Sequence, residues 1–187
     1  CNLIHLFQLV GVELQMISGK AIMEQIVAGR LCFYRRPVPK PVLYTQGNWR
    51  QEITRFHPAQ QTAITELAVF HDRALSQVGE GVAAIFHIHG LLLEDNDYVE
   101  TVRTLIKGQG VTAEYAVQIA ELSFSAAFSA MDNPYMRARA ADIRDISQRV
   151  LRALMGARQE LLMEEPAILV SDEFLPSEVM DFDQRRL

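Results

Sequence analysis

The chain shows two kinds of hydrophobic pattern, one typical of strands and one typical of helices. Residues 26–34 form an apolar, β-branched and aromatic run with loose alternation, which predicts a strand. This run is followed by Arg35, Arg36 and a cluster of three prolines, which lack the backbone donors that a central strand needs. We therefore expect a strand followed by an extended linker.

Between about residues 51 and 156 the apolar positions recur at three- and four-residue spacings, the period of an amphipathic helix. Glycines and capping residues divide this region into separate helices. The predicted helices cover 59–78, 82–93, a segment capped by Asp95 or Asn96 that stops at 108–110, a segment that opens at Thr112 and runs through Phe128, and 135–154 with Gly156 at its end. In the last of these, the arginines are expected on the solvent side.

A short apolar run at 167–170 predicts that β structure returns after the helices. The order strand, helices, strand predicts a helical bundle inserted between an early and a late strand of one sheet. The expected fold is mostly α, with a four-helix-type bundle between the strands of an α/β subdomain that the sequence does not complete. The expected boundaries are 16–45 for the first strand or strands and the linker, 46–160 for the bundle, 161–187 for the return strand, and 1–15 for an upstream extension of unclear status.

Composition and charge narrow the class of protein. Hydrophobic residues make up 49% of the 187 residues and charged residues 22%, which is typical of a globular protein and argues against a disordered chain or a membrane span. The net charge of -5 disfavours binding to a nucleic-acid backbone and fits a neutral or basic protein partner better. Two cysteines and the absence of a signal-peptide pattern predict a cytoplasmic protein without a disulfide framework.

Few residues suggest chemistry by themselves. His87 and His89 are close in sequence, but two residues apart on a helix means about 200° of separation, so no shared metal site is expected. His89 alone can equally be an ordinary half-buried or capping histidine of a helix. The acidic run at 94–100 lies at a helix junction, where it either caps exposed amides or forms an acidic rim for a basic partner. The arginines of 137–152 interleave with Asp142 and Asp145, which predicts a salt-bridged helix surface rather than a phosphate site.

Several short motifs nevertheless follow one another in a specific order. They are Ala84-Ile85-Phe86, His89, Leu92-Leu93-Glu94-Asp95, Thr112-Ala113-Glu114-Tyr115-Ala116-Val117, Met131-Asp132, Tyr135, the block 139–146 and Pro176-Ser177-Glu178. Their order and spacing resemble the helical subdomain of enzyme I of the phosphoenolpyruvate-dependent sugar phosphotransferase system. The similarity runs from about Met16 to the end of the chain, and the block 139–146 carries it most strongly.

The resemblance implies a phosphorelay. The full enzyme would take a phosphoryl group from phosphoenolpyruvate onto a histidine, with magnesium in a separate carboxy-terminal barrel through which it dimerises, and pass the group to the small carrier protein HPr. The helical subdomain, which is inserted between the two parts of a phosphohistidine subdomain, would dock HPr. The positions on the family's docking helices are His89, Leu91, Leu92, Asp95, Asp97, Tyr98, Phe124, Phe128 and Arg139.

The histidine that is phosphorylated in this family lies in a Gly-Gly-x-Thr-Ser-His segment downstream of the Pro-Ser-Glu motif, and none of the five histidines here has that context. We therefore expect this chain alone to be inactive, to hold no cofactor or metal, and to contribute by positioning HPr. Leu175 stands where the family usually has threonine. Two alternatives remain open: an enzyme I-like domain of a dihydroxyacetone kinase phosphocarrier, and a diverged, non-catalytic regulatory binding module.

Overall fold

Two short parallel strands bracket a run of helices in the computed structural model of the chain. The structure describes residues 3–10, 13–20, 27–36, 48–156 and 166–182. Strand β3 (Arg30–Phe33) pairs in parallel with β4 (Ala167–Val170), and Arg30 lies opposite Ala167. The predicted return of β structure at 167–170 is confirmed, and the predicted linker after residue 36 lies mostly outside the described residues.

A separate hairpin precedes these strands. Strand β1 (Leu3–Val10) pairs antiparallel with β2 (Glu13–Lys20), with Val10 opposite Glu13. Residues 1–15 were expected only as an extension of unclear status, and the hydrophobic pattern did not predict this hairpin.

Five helices lie between β3 and β4 in the described part of the chain, and one follows β4. They are α1 (Trp49–Gln77), α2 (Glu80–Glu94), α3 (Asn96–Gln109), α4 (Ala113–Ser129), α5 (Pro134–Met155) and α6 (Pro176–Asp181). Their buried apolar faces form one core, which includes Phe56, Leu67, Phe86, Leu93 and Ile146. In the described residues no helix is long and apolar enough to cross a bilayer.

Local capping fixes most helix ends where the sequence predicted them. The side chain of Thr112 accepts a hydrogen bond from the amide of Tyr115 at the start of α4. Gly110 and Gly156 end α3 and α5 in the left-handed conformation, with φ of 63° and 64°. A glycine adopts this conformation without the steric cost that other residues meet, which explains why it ends helices so often.

Helix α1 begins at Trp49 rather than at the predicted residue 59. The side chain of Asn48 caps it by accepting from the amide of Arg50 at 3.0 Å. One of its buried positions is occupied by a charged residue, Glu52, so the apolar helical period is not visible there. Pro58 lies on the exposed side of the helix. The buried face of α1 therefore extends toward the N-terminus beyond the apolar residues that indicate a helix.

The placement of the α5 arginines corrects one prediction. Arg149 is only 3% exposed, so the expectation that the arginines of this helix lie on the solvent side is wrong for this residue. Its guanidinium pairs with Glu66 of α1 at 2.6 Å and Asp181 of α6 at 2.8 Å, and lies 4.5 Å from the ring centroid of Phe70. Arg149 is buried because side chains of both α1 and α6 contact it, which periodicity within α5 cannot reveal.

Candidate partner-docking surface

The candidate site lies between α2 and α4, on the side where α5 begins. Helix α2 packs on α1 and α5, and α4 packs on α3 and α5, but α2 and α4 do not pack closely on each other in the described structure. Helix α5 packs on both of them. We define the docking surface by the predicted docking residues that are not fully buried, among them Leu91, Asp97, Phe124 and Arg139.

Apolar side chains contribute to both helices of this surface. Leu91 on α2 is 53% exposed, whereas its neighbour Leu92 is half-buried and packs against the core. On α4, Phe124 and Phe128 are likewise half-buried against the core, and the ring of Phe124 lies 5.9 Å from that of Tyr98. Leu91 therefore offers the most accessible apolar contact among the predicted docking residues.

An acidic corner lies where α2 ends and α3 begins. Both Asp95 and Asp97 are exposed, and Asp95 caps α3 by accepting from the amides of Asp97 at 2.8 Å and Tyr98 at 3.4 Å. The predicted capping role of this run is confirmed for Asp95. Two exposed carboxylates next to an exposed leucine give this side of the surface an apolar contact with a negatively charged rim.

Two of the predicted docking residues lie beneath the surface instead of on it. Tyr98 is 2% exposed, and its hydroxyl lies 2.9 Å from that of Ser147 on α5. Burial raises the pKa of the Tyr98 hydroxyl well above its ordinary range. His89 is fully buried, while His87 is exposed, as their divergence on a helix predicts. In this structure His89 and Tyr98 support the surface and are not open to contact.

Polar contacts connect His89 to α5. Its Nε2 lies 3.1 Å from an oxygen of Asp142, and its Nδ1 lies 3.7 Å from an oxygen of Asp145. Neither ring nitrogen makes an aligned hydrogen bond within the described residues. Burial acts to raise the pKa of Asp142, but His89 and Arg139 outweigh it, so this pKa lies below its ordinary value.

Arg139 is the predicted docking residue that lies on α5. It is half-buried, and its Nη1 donates to Asp142 at 2.7 Å. Its guanidinium also contacts the hydroxyl of Tyr135 and stacks on that ring, with 4.5 Å between the guanidinium carbon and the ring centroid. Arg139 is thus held in place by Asp142 and Tyr135, and 18% of its side chain stays exposed.

The roles of Asp145 and Ser177 were not predicted from the sequence. Asp145 is 1% exposed and accepts from the backbone amide of Ser177 at 3.0 Å and from its hydroxyl. The available signal was the spacing of Asp142, Asp145 and Arg149 at three and four residues, which places them on one helix face. Their interleaving with other charges made that face look like solvated surface.

No group of three or more His, Cys, Asp or Glu side chains is placed to hold a metal ion in the described ranges. The magnesium implied by the resemblance was assigned to another domain, so it stays a prediction. What the arrangement can do chemically is to present a shaped, partly apolar and charged surface. Among the described residues of this surface, no nucleophile is paired with a base.

Known proteins share both the sequence and the helical architecture of this chain. A family model described as "PEP-utilising enzyme, N-terminal" matches residues 18–139. The chain belongs to this family. The phosphoenolpyruvate-protein phosphotransferase of Geobacillus stearothermophilus is 37% identical over 143 residues, which are 75% of this chain and 25% of that protein. That of Lactococcus lactis subsp. lactis is 30% identical over 173 residues, 91% of this chain and 30% of that protein.

Solved structures show the same fold. One described as enzyme I (nEIt) has a TM-score of 0.69 and 24% identity, covering 83% of this chain and 64% of that one. Another, described as "N-terminal domain of Enzyme 1 - Nitrogen", has a TM-score of 0.67 and 25% identity, covering 84% and 66%. The predicted resemblance to enzyme I and the predicted mostly α fold are confirmed. The chain spans between a quarter and a third of the length of these two curated relatives.

Proposed function

We propose that this chain is the amino-terminal docking part of an enzyme I and that it holds the phosphocarrier HPr. A phosphoryl group derived from phosphoenolpyruvate would then pass from an enzyme histidine to HPr. The observation that carries the proposal is the exposed Leu91 beside the acidic corner of Asp95 and Asp97, on a member of the PEP-utilising family. An apolar contact with a charged rim supplies burial and orientation to a protein complex.

Docking would contribute geometry to the reaction. Phosphoryl transfer needs the donor and acceptor nearly in line, so a rigid platform for the acceptor protein lowers the entropic cost of reaching that arrangement. The helices that bear the surface share one core, which makes such a platform rigid. The transfer itself would depend on a histidine outside the five present here, and so this chain alone would be inactive.

Other features of the proposal come from the resemblance to enzyme I. Magnesium would act in a carboxy-terminal domain, the full enzyme would be a homodimer, and the system would operate in the cytoplasm. The names of the matched relatives favour the phosphotransferase over a dihydroxyacetone kinase phosphocarrier or a regulatory module. Leu175, where the family usually has threonine, is 1% exposed and begins α6, so its side chain fills core space.

Binding of HPr from Geobacillus stearothermophilus to the 187-residue chain tests the proposal directly. We expect a Kd of about 1 μM, which corresponds to about -8 kcal/mol. Leu91→Arg should weaken binding about 10-fold or more, because it places a flexible charge where burial is needed. Isothermal titration calorimetry and amide chemical-shift mapping would measure both. Leu92 is a poorer test position, since its contact with the core means that a charge there would also destabilise the fold.

Leu122→Arg is the matched control. Leu122 is 59% exposed on α4, two residues from Phe124 and hence on the opposite side of that helix. The same substitution there should leave HPr affinity unchanged within about twofold. Absence of any amide shift at saturating HPr, with a folded chain, would reject the docking role.

A further inference from the structure

A row of polar side chains runs from the docking surface to α6. It begins with Arg139, which donates to Asp142 at 2.7 Å, and continues from Asp142 to His89 at 3.1 Å. His89 lies 3.7 Å from Asp145, and Asp145 accepts both the amide and the hydroxyl hydrogen of Ser177. We call these five residues the polar relay.

The relay joins three helices, two of which, α5 and α6, are also joined by Arg149 through Asp181 and the Ser177 carbonyl. His89 comes from α2, Ser177 comes from α6, and Asp142 and Asp145 lie three residues apart on α5. The spacing of the two aspartates puts their carboxylates on one side of α5, where His89 lies between them. A change in the position of either carboxylate therefore changes what the imidazole can contact.

The burial of the relay makes its members depend on one another. His89 is 0% exposed, Asp145 1% and Ser177 0%, so water cannot replace a lost partner at these positions. Buried polar groups interact strongly in this low-dielectric setting, and an unmatched one is costly. Neither nitrogen of His89 makes an aligned hydrogen bond in the described structure, so no aligned bond commits the ring to one of the two aspartates.

We propose that the polar relay is a positioning device in which His89 transmits engagement of Arg139 on the docking surface to Ser177 at the start of α6. A partner carboxylate or carbonyl that binds Arg139 would weaken its bond to Asp142. His89 would then shift between Asp142 and Asp145, and Asp145 would adjust its hold on Ser177. The identity of the partner rests on the proposed function, whereas the coupling between Arg139 and Ser177 is a property of this chain.

The first test needs no partner. Arg139→Gln removes the charged donor at the surface end of the relay, and the imidazole nitrogens of His89 and the amide of Ser177 are followed by nitrogen-15 NMR. Both signals should shift, although Ser177 lies on another helix. Arg137→Gln is the control, because Arg137 is exposed on the same helix and its side chain donates to the backbone oxygens of Met131 and Asp132, away from the relay. It should leave both signals in place.

The far end of the relay provides a reciprocal test. Ser177→Ala removes the hydroxyl donor to Asp145 and should shift the His89 imidazole signals, whereas Ser177→Thr keeps a hydroxyl and should restore them. Simple loss of packing at α6 would not be rescued in this way. Unchanged amide signals of Leu67 and Val102 in the core would confirm that each variant is folded.

Titration with HPr separates this inference from the proposed function. Saturating HPr should shift the Ser177 amide in the wild-type chain, and Asp145→Asn should reduce that shift while HPr still binds. An unmoved Ser177 amide both in Arg139→Gln and in the HPr complex would overturn the relay. Failure of HPr to bind, together with a Ser177 shift in Arg139→Gln, would instead reject the docking proposal and leave the relay standing.

Discussion

Glu178 is a buried carboxylate whose partners come from the other end of the chain. It is 2% exposed and accepts from the Tyr34 hydroxyl at 3.0 Å, from Arg36 at 2.6 and 2.9 Å, and from the Leu175 amide at 2.9 Å. Burial acts to raise the pKa of Glu178, but the bonds from Arg36, Leu175 and Tyr34 outweigh it and lower this pKa. The ionised form is therefore the one that stabilises the folded chain.

Glu178→Gln should lower the free energy of unfolding by about 2 kcal/mol at pH 7, because charge-assisted bonds from Arg36 are lost. A lowered folded pKa means that the stabilisation is present above the unfolded pKa and is lost as the pH falls through the folded one. The difference in the free energy of unfolding between wild type and variant should therefore shrink as the pH falls below the ordinary glutamate range. Urea unfolding at a series of pH values measures this difference.

Glu173→Gln is the control for Glu178, since Glu173 is an exposed carboxylate paired with the half-buried Arg144. It should change stability by less than about 0.5 kcal/mol. A pH-independent difference between wild type and Glu178→Gln would contradict the assignment of an ionised carboxylate at this position.

The pKa of Glu121 is shifted in the opposite direction from that of Glu178. Burial raises its pKa, only partly offset by the hydrogen bond from Gln148 and the charge of Arg144. Ionisation at pH 7 therefore costs folding free energy, and Glu121→Gln, which can keep the bond to Gln148, should raise the free energy of unfolding by about 0.5–1 kcal/mol. Urea unfolding at pH 7 and pH 5 should show the gain shrinking at the lower pH. Glu100→Gln, at an exposed position, should show no gain at either pH.

These residues show which features a sequence can predict at this scale. Asp95 and Thr112 cap helices through partners two or three residues away, so a short window of sequence contains the whole interaction. Asp145, Arg149 and Glu178 are buried by partners that lie 28 to 144 residues away. Composition near each of them indicates a solvated charge, because the group that neutralises it lies in another element.

At the scale of elements, Gly108 and Gly110 make a matched pair at the end of α3. Gly108 is helical and has open space where a β-carbon would lie, whereas Gly110 ends the helix at a φ of 63°. Gly108→Ala should stabilise the chain by about 0.5–1 kcal/mol, because alanine loses less backbone entropy in a helix. Gly110→Ala should destabilise it by about 1 kcal/mol, because the left-handed conformation is strained for alanine. Thermal unfolding of both variants distinguishes them, and equal effects would contradict this difference in conformation.

Elements were predicted well where the period is long and the ends are marked. Helix α5 begins at Pro134 after Asn133, is ended by Gly156 and was predicted to within a residue at each end. Helix α1 was shortened because Glu52 interrupts its apolar face, and α6 was missed because six residues are too few to show a helical period. The docking surface could be predicted only through the resemblance. No local pattern shows which helices contribute to one surface.

At the scale of the whole molecule, the two ends of the described bundle meet. Strands β3 and β4 are far apart in sequence, and they pair across the run of helices α1 to α5 that separates them along the chain. The segment from β4 to α6 is held to the bundle by Asp145 and Arg149, and to the segment after β3 by Arg36 and Tyr34. Because Met180 is its one described residue in the core of the bundle, we expect this segment to open before the bundle unfolds.

Arg149→Met tests this order of opening. The substitution keeps apolar volume over Phe70 but removes the charge that holds Asp181 and the donor to the Ser177 carbonyl. The loss should be about 2 kcal/mol, less than for a fully buried pair because Asp181 is 28% exposed. Amide hydrogen exchange should then speed up about 30-fold in β4 and α6, while the Leu67 and Leu151 amides keep their protection. Arg103→Met, at an exposed ion pair with Glu100, should change the exchange rates of neither set of amides. A uniform loss of protection over all helices would mean that the return segment and the bundle unfold as one unit.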